Sequence, residues 1–419
     1  MSIQGNINNK QTAEGKREKL LWVLSAATFV IFFQAYMIAP LIPKLAVLFH
    51  ASEQQVGNVV PAYLIPYGIT TLFYGLLADR IGPKIIILLS LFAFSILSIL
   101  TVTSNSIETL TIWRFLTGIG ASGVIPISLA LIGQMFPMEQ RGRPLGWLFG
   151  AMAGGSAFGS TVGIILEPFM GWQGLFIGIS CTGLFLFFLL WKTFQSMQLP
   201  KPQATLSIRK VLRGYLNLVQ QVRGLRTYAY VFLNGIFHAG VFTWLGLYFK
   251  NIYDLNEWEI GFAILGYGLP GFILGPIIGR LADKNGRRWL IPIGLLVSAL
   301  SALTLAINPP LLLAALAVTT LSLGYDLTQP LLAGILTDVG KKQPGQAMGL
   351  NVFLLFIGFG IGSFLFGQVI HLGLGTALIL FTLFEGILTL AAVAIFKSER
   401  KIINQQKSEH YETTQSISN

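Results

Sequence analysis

Four ionisable side chains lie deep inside long apolar stretches of this chain: Arg114, His238, Asp326 and Glu385. An ionisable group at mid-membrane costs roughly a few kcal/mol, so each is a candidate for carrying a proton or holding a polar substrate. Asp326 stands foremost, in Tyr325-Asp326-Leu327-Thr328-Gln329-Pro330. A carboxyl in a partly dry cavity can take up and release a proton; the competing reading is a buried acid hydrogen-bonded to neighbouring helices. His238 follows Asn234 by one helical turn, so the two share a face. A helical histidine can equally be a satisfied core residue. Glu385 either titrates with Asp326 as a second proton site or pairs structurally. Arg114 either reaches a cavity or extends toward the membrane surface. Gln34, Tyr63, Tyr67, Arg114, Asn234, His238, Tyr325 and Gln329 make up the candidate substrate-binding set. Further aromatics are plentiful, among them Tyr36, Tyr74, Phe237, Phe242, Trp244 and Tyr267. An aromatic cavity with few charges suits lipophilic or amphipathic molecules, although ordinary packing explains many such rings.

Other chemistry finds no support. The four histidines are scattered and no nucleophile motif occurs, so catalytic residues and metal ligands are not expected. No GxxxxGK[ST] loop is present, which argues against ATP drive, and no cofactor is implied. No pore-loop signature or ring-forming repeat suggests a channel. The single cysteine, Cys181, lies in an apolar run and cannot form an intrachain disulfide.

The elements that must position these residues are membrane helices. The chain has 419 residues, 53% hydrophobic and 11% charged, with mean hydropathy +0.69. Soluble domains carry about 25% charged residues. Spans of about 20 apolar residues predict an all-α integral membrane protein with twelve crossings. Six fall at 20–43, 56–78, 85–104, 109–135, 144–166 and 173–193, and six at 228–249, 259–280, 289–307, 310–337, 346–370 and 375–397. The first reads as an uncleaved anchor, since no small-residue cleavage site follows it. The domain division is a 1–19 N-terminal segment, a 20–193 bundle, a 194–226 basic linker, a 227–397 bundle and a polar, disordered tail at 398–419.

The net charge of +11 does not indicate a nucleic-acid partner, because the basic residues sit in short gaps between apolar runs. With both termini in the cytoplasm, all but Lys44, Arg114 and Lys250 of the 28 Lys and Arg residues fall on the cytoplasmic side. In the linker, Ile208, Val211, Leu212, Tyr215, Leu218, Val219 and Val222 recur at helical spacing, with Arg209, Lys210 and Arg213 off that stripe. Such a basic amphipathic helix either lies on the anionic inner leaflet or simply tethers the two bundles.

One phrase occurs twice. Gly75-Leu76-Leu77-Ala78-Asp79-Arg80-Ile81-Gly82 returns 204 residues later as Gly279-Arg280-Leu281-Ala282-Asp283-Lys284-Asn285-Gly286, each time between two apolar runs. A half-length repeat of this kind suggests a duplicated bundle, an architecture common among secondary transporters. The phrase resembles the loop motif G-x-L-a-D-r-x-G-r-k of the major facilitator superfamily. Arg114-Phe115-Leu116-Thr117-Gly118-Ile119-Gly120 resembles that family's helix 4 motif. Gly155, Gly159, Ser160, Gly163 and Ile164 are similar to its antiporter motif G-x-x-x-G-P-x-x-G-G, with Ser160 in place of the proline and Ile164 in place of the last glycine. The glycines, mostly four apart, also suit plain helix packing.

The resemblance, closest to the twelve-helix drug:proton antiporters, implies two six-helix halves and a cavity lined by helices 1, 4, 7 and 10. It implies a conformational latch in Gly75, Asp79, Arg80, Gly82, Arg143, Gly279, Asp283, Gly286 and Arg287. Proton-coupled efflux of a small organic molecule from a plasma-membrane monomer is the function it favours. Import or uniport of a sugar, organic acid or lipid is the rival.

Overall fold

The computed structural model describes residues 2–136, 142–197, 208–341 and 343–399, and these contain no β-strand. In a bilayer the backbone must satisfy its own hydrogen bonds, and long apolar runs do so as helices. The first span is α1 (Ser2–Met37), a 3₁₀ turn at Ala39–Leu41 and α2 (Ile42–Leu48), bent where Pro40 and Pro43 remove amide donors. α3 (Glu53–Gly57) leads into α4 (Val59–Ile81), and α5 (Pro83–Thr101) returns. α6 (Ile107–Ala121) and α7 (Val124–Met135) form the next crossing. α8 (Gly142–Gln195) is two arms meeting at Gly171, where φ is 69°. The amphipathic α9 (Ile208–Gln220) precedes α10 (Val222–Thr243), α11 (Leu245–Tyr253), α12 (Glu257–Ile264) and α13 (Leu269–Asn285). α14 (Leu290–Ala306), α15 (Leu311–Asp326), α16 (Gln329–Val339), α17 (Pro344–Val369) and α18 (Leu374–Ile395) complete the chain.

Among the described residues, ten helical stretches are long and apolar enough to cross a membrane. One of these holds both arms of α8, and the 17-residue α14 is a further apolar helix, which is consistent with twelve crossings. Large apolar side chains face outward, among them Phe73, Phe185, Leu312 and Leu390. That is the surface expected against lipid.

The repeat is written into the backbone as well as the sequence. Gly82 and Gly286, the last residues of the two phrases, close α4 and α13 with φ of 98° and 77°, a region that glycine enters without steric cost. On the opposite face, His50 (φ 49°) and Asp254 (φ 53°) are likewise 204 residues apart and lie just past α2 and α11. Ser52 with Gln55 and Asn256 with Glu259 then form matching capping boxes two residues on. The face holding the repeated phrase is termed here the motif face, and the one holding His50 and Asp254 the far face.

Close packing follows the glycines. A Cβ at Gly155, Gly159 or Gly163 would strike α1 at Phe29 and Phe32, at Phe33, and at Met37 respectively, so this stripe lets α8 lie against α1. Gly358 and Gly362 of α17 do the same against Phe232 and Ile236 of α10.

Three boundaries differ from expectation. α1 begins at Ser2, so residues counted as an N-terminal segment extend the first helix. α10 begins at Val222, which puts Arg223 and Arg226 in its first turns and outside the linker loop. Glu399, expected in a disordered tail, is 7% exposed and folds back onto the motif face. There it accepts from Arg223 Nε (2.8 Å) and Nη2 (2.7 Å) and from Arg226 Nη2 (2.5 Å), while its carbonyl accepts from the Arg287 and Arg288 amides (3.0 Å each). Cationic partners and an amide pair outweigh the cost of ordering this segment.

Candidate functional site

Helices 1, 4, 7 and 10 are all interrupted, as is helix 8. The breaks fall at Ile38–Leu41, Ser122–Gly123, Trp244, Leu327–Thr328 and Leu265–Gly268. Pro126 and Pro330, 204 residues apart, sit just past the breaks in helices 4 and 10. Discontinuous helices free backbone polar groups near the middle of a membrane, where transporters build their sites.

Two charged side chains lie inside the halves, one in each. Arg114 is fully buried in α6. Its Nη1 donates to Gln34 Oε1 (3.2 Å) and the Gln34 carbonyl (3.5 Å), its Nη2 donates to the Ala35 carbonyl (3.5 Å), and Cζ stands 4.2 Å from the centre of the Tyr63 ring. It does not extend to the membrane surface. No acidic side chain pairs with it among the described residues.

Asp326 is the last residue of α15 rather than the middle of an unbroken helix, and it is 9% exposed. Its Oδ2 accepts from Ser322 Oγ (3.4 Å), and Ser322 Oγ in turn accepts from the Gly268 amide (2.8 Å) at the start of α13. The carboxylate rests on Gly271, where any side chain would collide with it. Asp326 therefore sits against the N-terminal turn of a broken helix, a favourable place for a negative charge. No basic side chain among the described residues pairs with it. The repeat partners of Arg114 and Asp326 are Val318 and Ser122, so each charge breaks the internal symmetry.

Gln34 and His238, related by the same offset, are fixed alike. Gln34 Nε2 donates to Ser98 Oγ (2.9 Å), and His238 Nε2 lies 3.1 Å from Ser298 Oγ. Both side chains are buried. His238 packs edge-on to Tyr325 at 4.9 Å, leaving Nδ1 without a partner.

Aromatic rings connect these points. From Arg114 the contacts pass to Tyr63, to Tyr67 (5.9 Å between ring centres), to Phe356 of α17 (4.2 Å), then to Phe32 (6.0 Å), Tyr36 (6.2 Å), Phe242 (5.2 Å) and Tyr267 (4.2 Å). A branch runs from Phe356 through Phe359 (5.8 Å) to Tyr325 (6.2 Å). The ladder crosses from one half to the other. An apolar void of about 10 Å³ lies beside it, lined in part by Tyr36, Leu64, Ala239 and Phe242. In this conformation the halves are drawn together around the site.

The other candidates lie around this centre. Asn234 Nδ2 donates to Thr328 Oγ1 (2.8 Å) at the break of helix 10, and Gln329 Nε2 donates to the Val231 carbonyl (3.3 Å). Glu385 is fully buried in α18, and among the described residues neither carboxyl oxygen has a hydrogen-bond partner. Of the latch residues, Gly75 and Arg80 are exposed, and Arg287 stands 3.9 Å from Asp338 at the end of α16. The side chains of Asp79, Arg143, Gly279 and Asp283 lie outside the described residues.

Sequence reasoning passed over two further clusters. On the far face Lys44 pairs with Glu167 of α8 and lies 3.5 Å from Glu257 of α12, joining the two halves. Phe169 and Trp258 meet edge-on beside them at 5.5 Å. Lys44 was visible as a cation on the wrong side of the charge pattern, which was its only signal. The Glu399 cluster had none, since its partners are over 100 residues away.

This architecture is that of a multi-pass membrane protein built from two repeated halves. The model of the Major Facilitator Superfamily matches residues 24–266 and 257–416, and the chain belongs to that family. The riboflavin transporter RibZ of Clostridioides difficile (strain 630) is 25% identical over 376 residues, covering 78% of this chain and 82% of RibZ. Multidrug resistance protein 2 of Bacillus subtilis (strain 168) is 22% identical over 367 residues, covering 85% and 91%. The crystal structure of a D-xylose-proton symporter superposes with a TM-score of 0.73 at 16% identity, covering 89% of this chain and 96% of that one. The protein is thus a membrane transporter of small molecules and not an enzyme.

Proposed function

We propose that this transporter exports a lipophilic or amphipathic organic molecule across the plasma membrane, in exchange for protons, by alternating access. The observation that carries the reading is Asp326: a carboxyl buried at a helix break, with no basic partner among the described residues, next in sequence to Tyr325 at one end of the aromatic ladder. A proton arriving there removes the charge that favours the N-terminal turn of α13, which gives protonation a mechanical consequence. The tyrosines and phenylalanines supply a surface for apolar cargo, and Gln34, Asn234, His238 and Gln329 supply polar contacts. Glu385 is a second buried acid available to the proton path. The relative that is a multidrug resistance protein supports efflux.

Both termini face the cytoplasm in this reading, from the Lys and Arg asymmetry, and the chain works as a monomer of two six-helix bodies. The motif-face loops, including Asp79, Arg143, Asp283 and Arg287, close and open the cytoplasmic side. Inward proton flow then drives outward transport, with the membrane potential adding about 2.3 kcal/mol per charge per 100 mV.

Reconstitution in liposomes with an internal pH dye and a panel of aromatic compounds tests the proposal. Compound addition should release protons in the wild type and not in Asp326→Asn. Proton flux that ignores every compound, or survives Asp326→Asn unchanged, rejects it. The riboflavin transporter among the relatives favours a second reading, uptake of one defined aromatic molecule. An inward proton gradient would then raise uptake rather than expulsion.

A further inference from the structure

We propose that Arg114, with the hydroxyls of Tyr63 and Tyr67, recognises an anionic group, a carboxylate, on an aromatic substrate. This rests on the transport reading and names the class of cargo. The observation is a surplus of donors. Arg114 Nε, Tyr63 Oη and Tyr67 Oη are all buried and, among the described residues, all without a hydrogen-bond partner. The guanidinium carries five N–H donors and no acceptor. Its acceptors, the Gln34 amide oxygen and the carbonyls of Gln34 and Ala35, are neutral and take only Nη1 and Nη2.

A purely structural tie between helices 1 and 4 needs no charge, and a neutral side chain would make it without the cost of burying a cation. A carboxylate offers about four lone-pair sites, the chemistry that three idle donors and an uncompensated charge lack. The rings of Tyr63 and Tyr67, 28° from parallel, stand in line with Phe356 and the ladder beyond. When the halves part, an aryl acid would set its carboxylate at Arg114 and its ring among the aromatics. Asp326 stands in the other half, so an anion bound at Arg114 avoids direct repulsion.

Equilibrium binding decides the matter without any gradient, so it is independent of proton coupling. The full chain in nanodiscs is titrated calorimetrically with benzoate, 2-naphthoate and 4-biphenylcarboxylate and with the three matching amides, at a pH well above the carboxylate range. A charge-assisted pair predicts that the acids bind at least about tenfold more tightly than their amides. Arg114→Gln should abolish that preference while leaving amide binding in place, and Arg114→Lys should retain part of it. Tyr67→Phe should reduce it with no effect on folding. Equal binding of acids and amides to the wild type, no binding of either, or a preference that survives Arg114→Gln overturns the proposal. If Arg114→Gln does not fold, the wild-type panel and Tyr67→Phe settle it. Proton flux that fails to depend on Asp326 would reject antiport and leave this acid preference standing.

Discussion

At the scale of the residue, the informative side chains are those whose surroundings do not neutralise them. Asp326 was legible as a functional candidate because an acid in an apolar run is rare, but its seat against Gly271 was not, since that contact spans 55 positions of sequence. Gly271→Ala places a methyl group into the carboxylate, and the expected outcome is lost coupling with Asp326 still present, measured as proton release per compound transported. Glu399 shows the opposite case, a charge fully compensated. Burial alone would raise its carboxyl, but hydrogen bonds and charges from Arg223 and Arg226 outweigh that and hold it below the ordinary carboxylate value. Its contribution to stability is therefore complete above the ordinary carboxylate range and fades as pH falls through the lowered value. Glu399→Gln should cost roughly 1–3 kcal/mol at neutral pH, between exposed and buried pairs, and the deficit should shrink on acidification. Thermal unfolding of the two proteins across a pH series checks this.

At the scale of the element, crossings were readable and their interruptions were not. Hydropathy averages over a window, so Leu327–Thr328 and Leu265–Gly268 vanish inside apolar runs. Pro126, Pro270 and Pro330 were the available signal, and a proline in a transmembrane helix can kink it, start it or be tolerated. The glycine stripe of α8 was read both as an antiporter motif and as packing. The structure shows the packing directly, with Gly155, Gly159 and Gly163 against α1. Gly159→Leu should push the two helices apart and cost roughly 1–3 kcal/mol by overpacking. Gly150→Ala meets nothing within 4 Å and should change little, which makes it the control in the same detergent-melting assay. The amphipathic α9 was expected from its apolar stripe and is present, yet its seat beside α17, where Gly214 abuts Gln346, follows from no local pattern.

At the scale of the whole molecule, two halves with matching turns meet through contacts that the repeat does not duplicate. Arg114 in one half, Asp326 in the other and the far-face Lys44–Glu257 pair are all unique to one copy. Releasing the far face should shift the balance of conformations. In a Cys181→Ala background with Trp258→Cys, adding Lys44→Gln is expected to speed labelling by a water-soluble maleimide several-fold, since a pair at this exposure is worth about 1 kcal/mol. Unchanged labelling would mean that packing at Gly246 against Pro40, not charge, holds that face shut. The interruptions in helices 1, 4, 7, 8 and 10 have one more consequence. α5, α14 and α18 have no comparable mid-span break, so compliance is concentrated in the inner helices while these outer ones remain stiff. A load applied at either membrane surface would be taken up as bending at mid-depth, beside Asp326, before any wholesale rotation of the bundles. The molecule behaves less like a hinge of two blocks than like a sleeve of struts around a jointed centre.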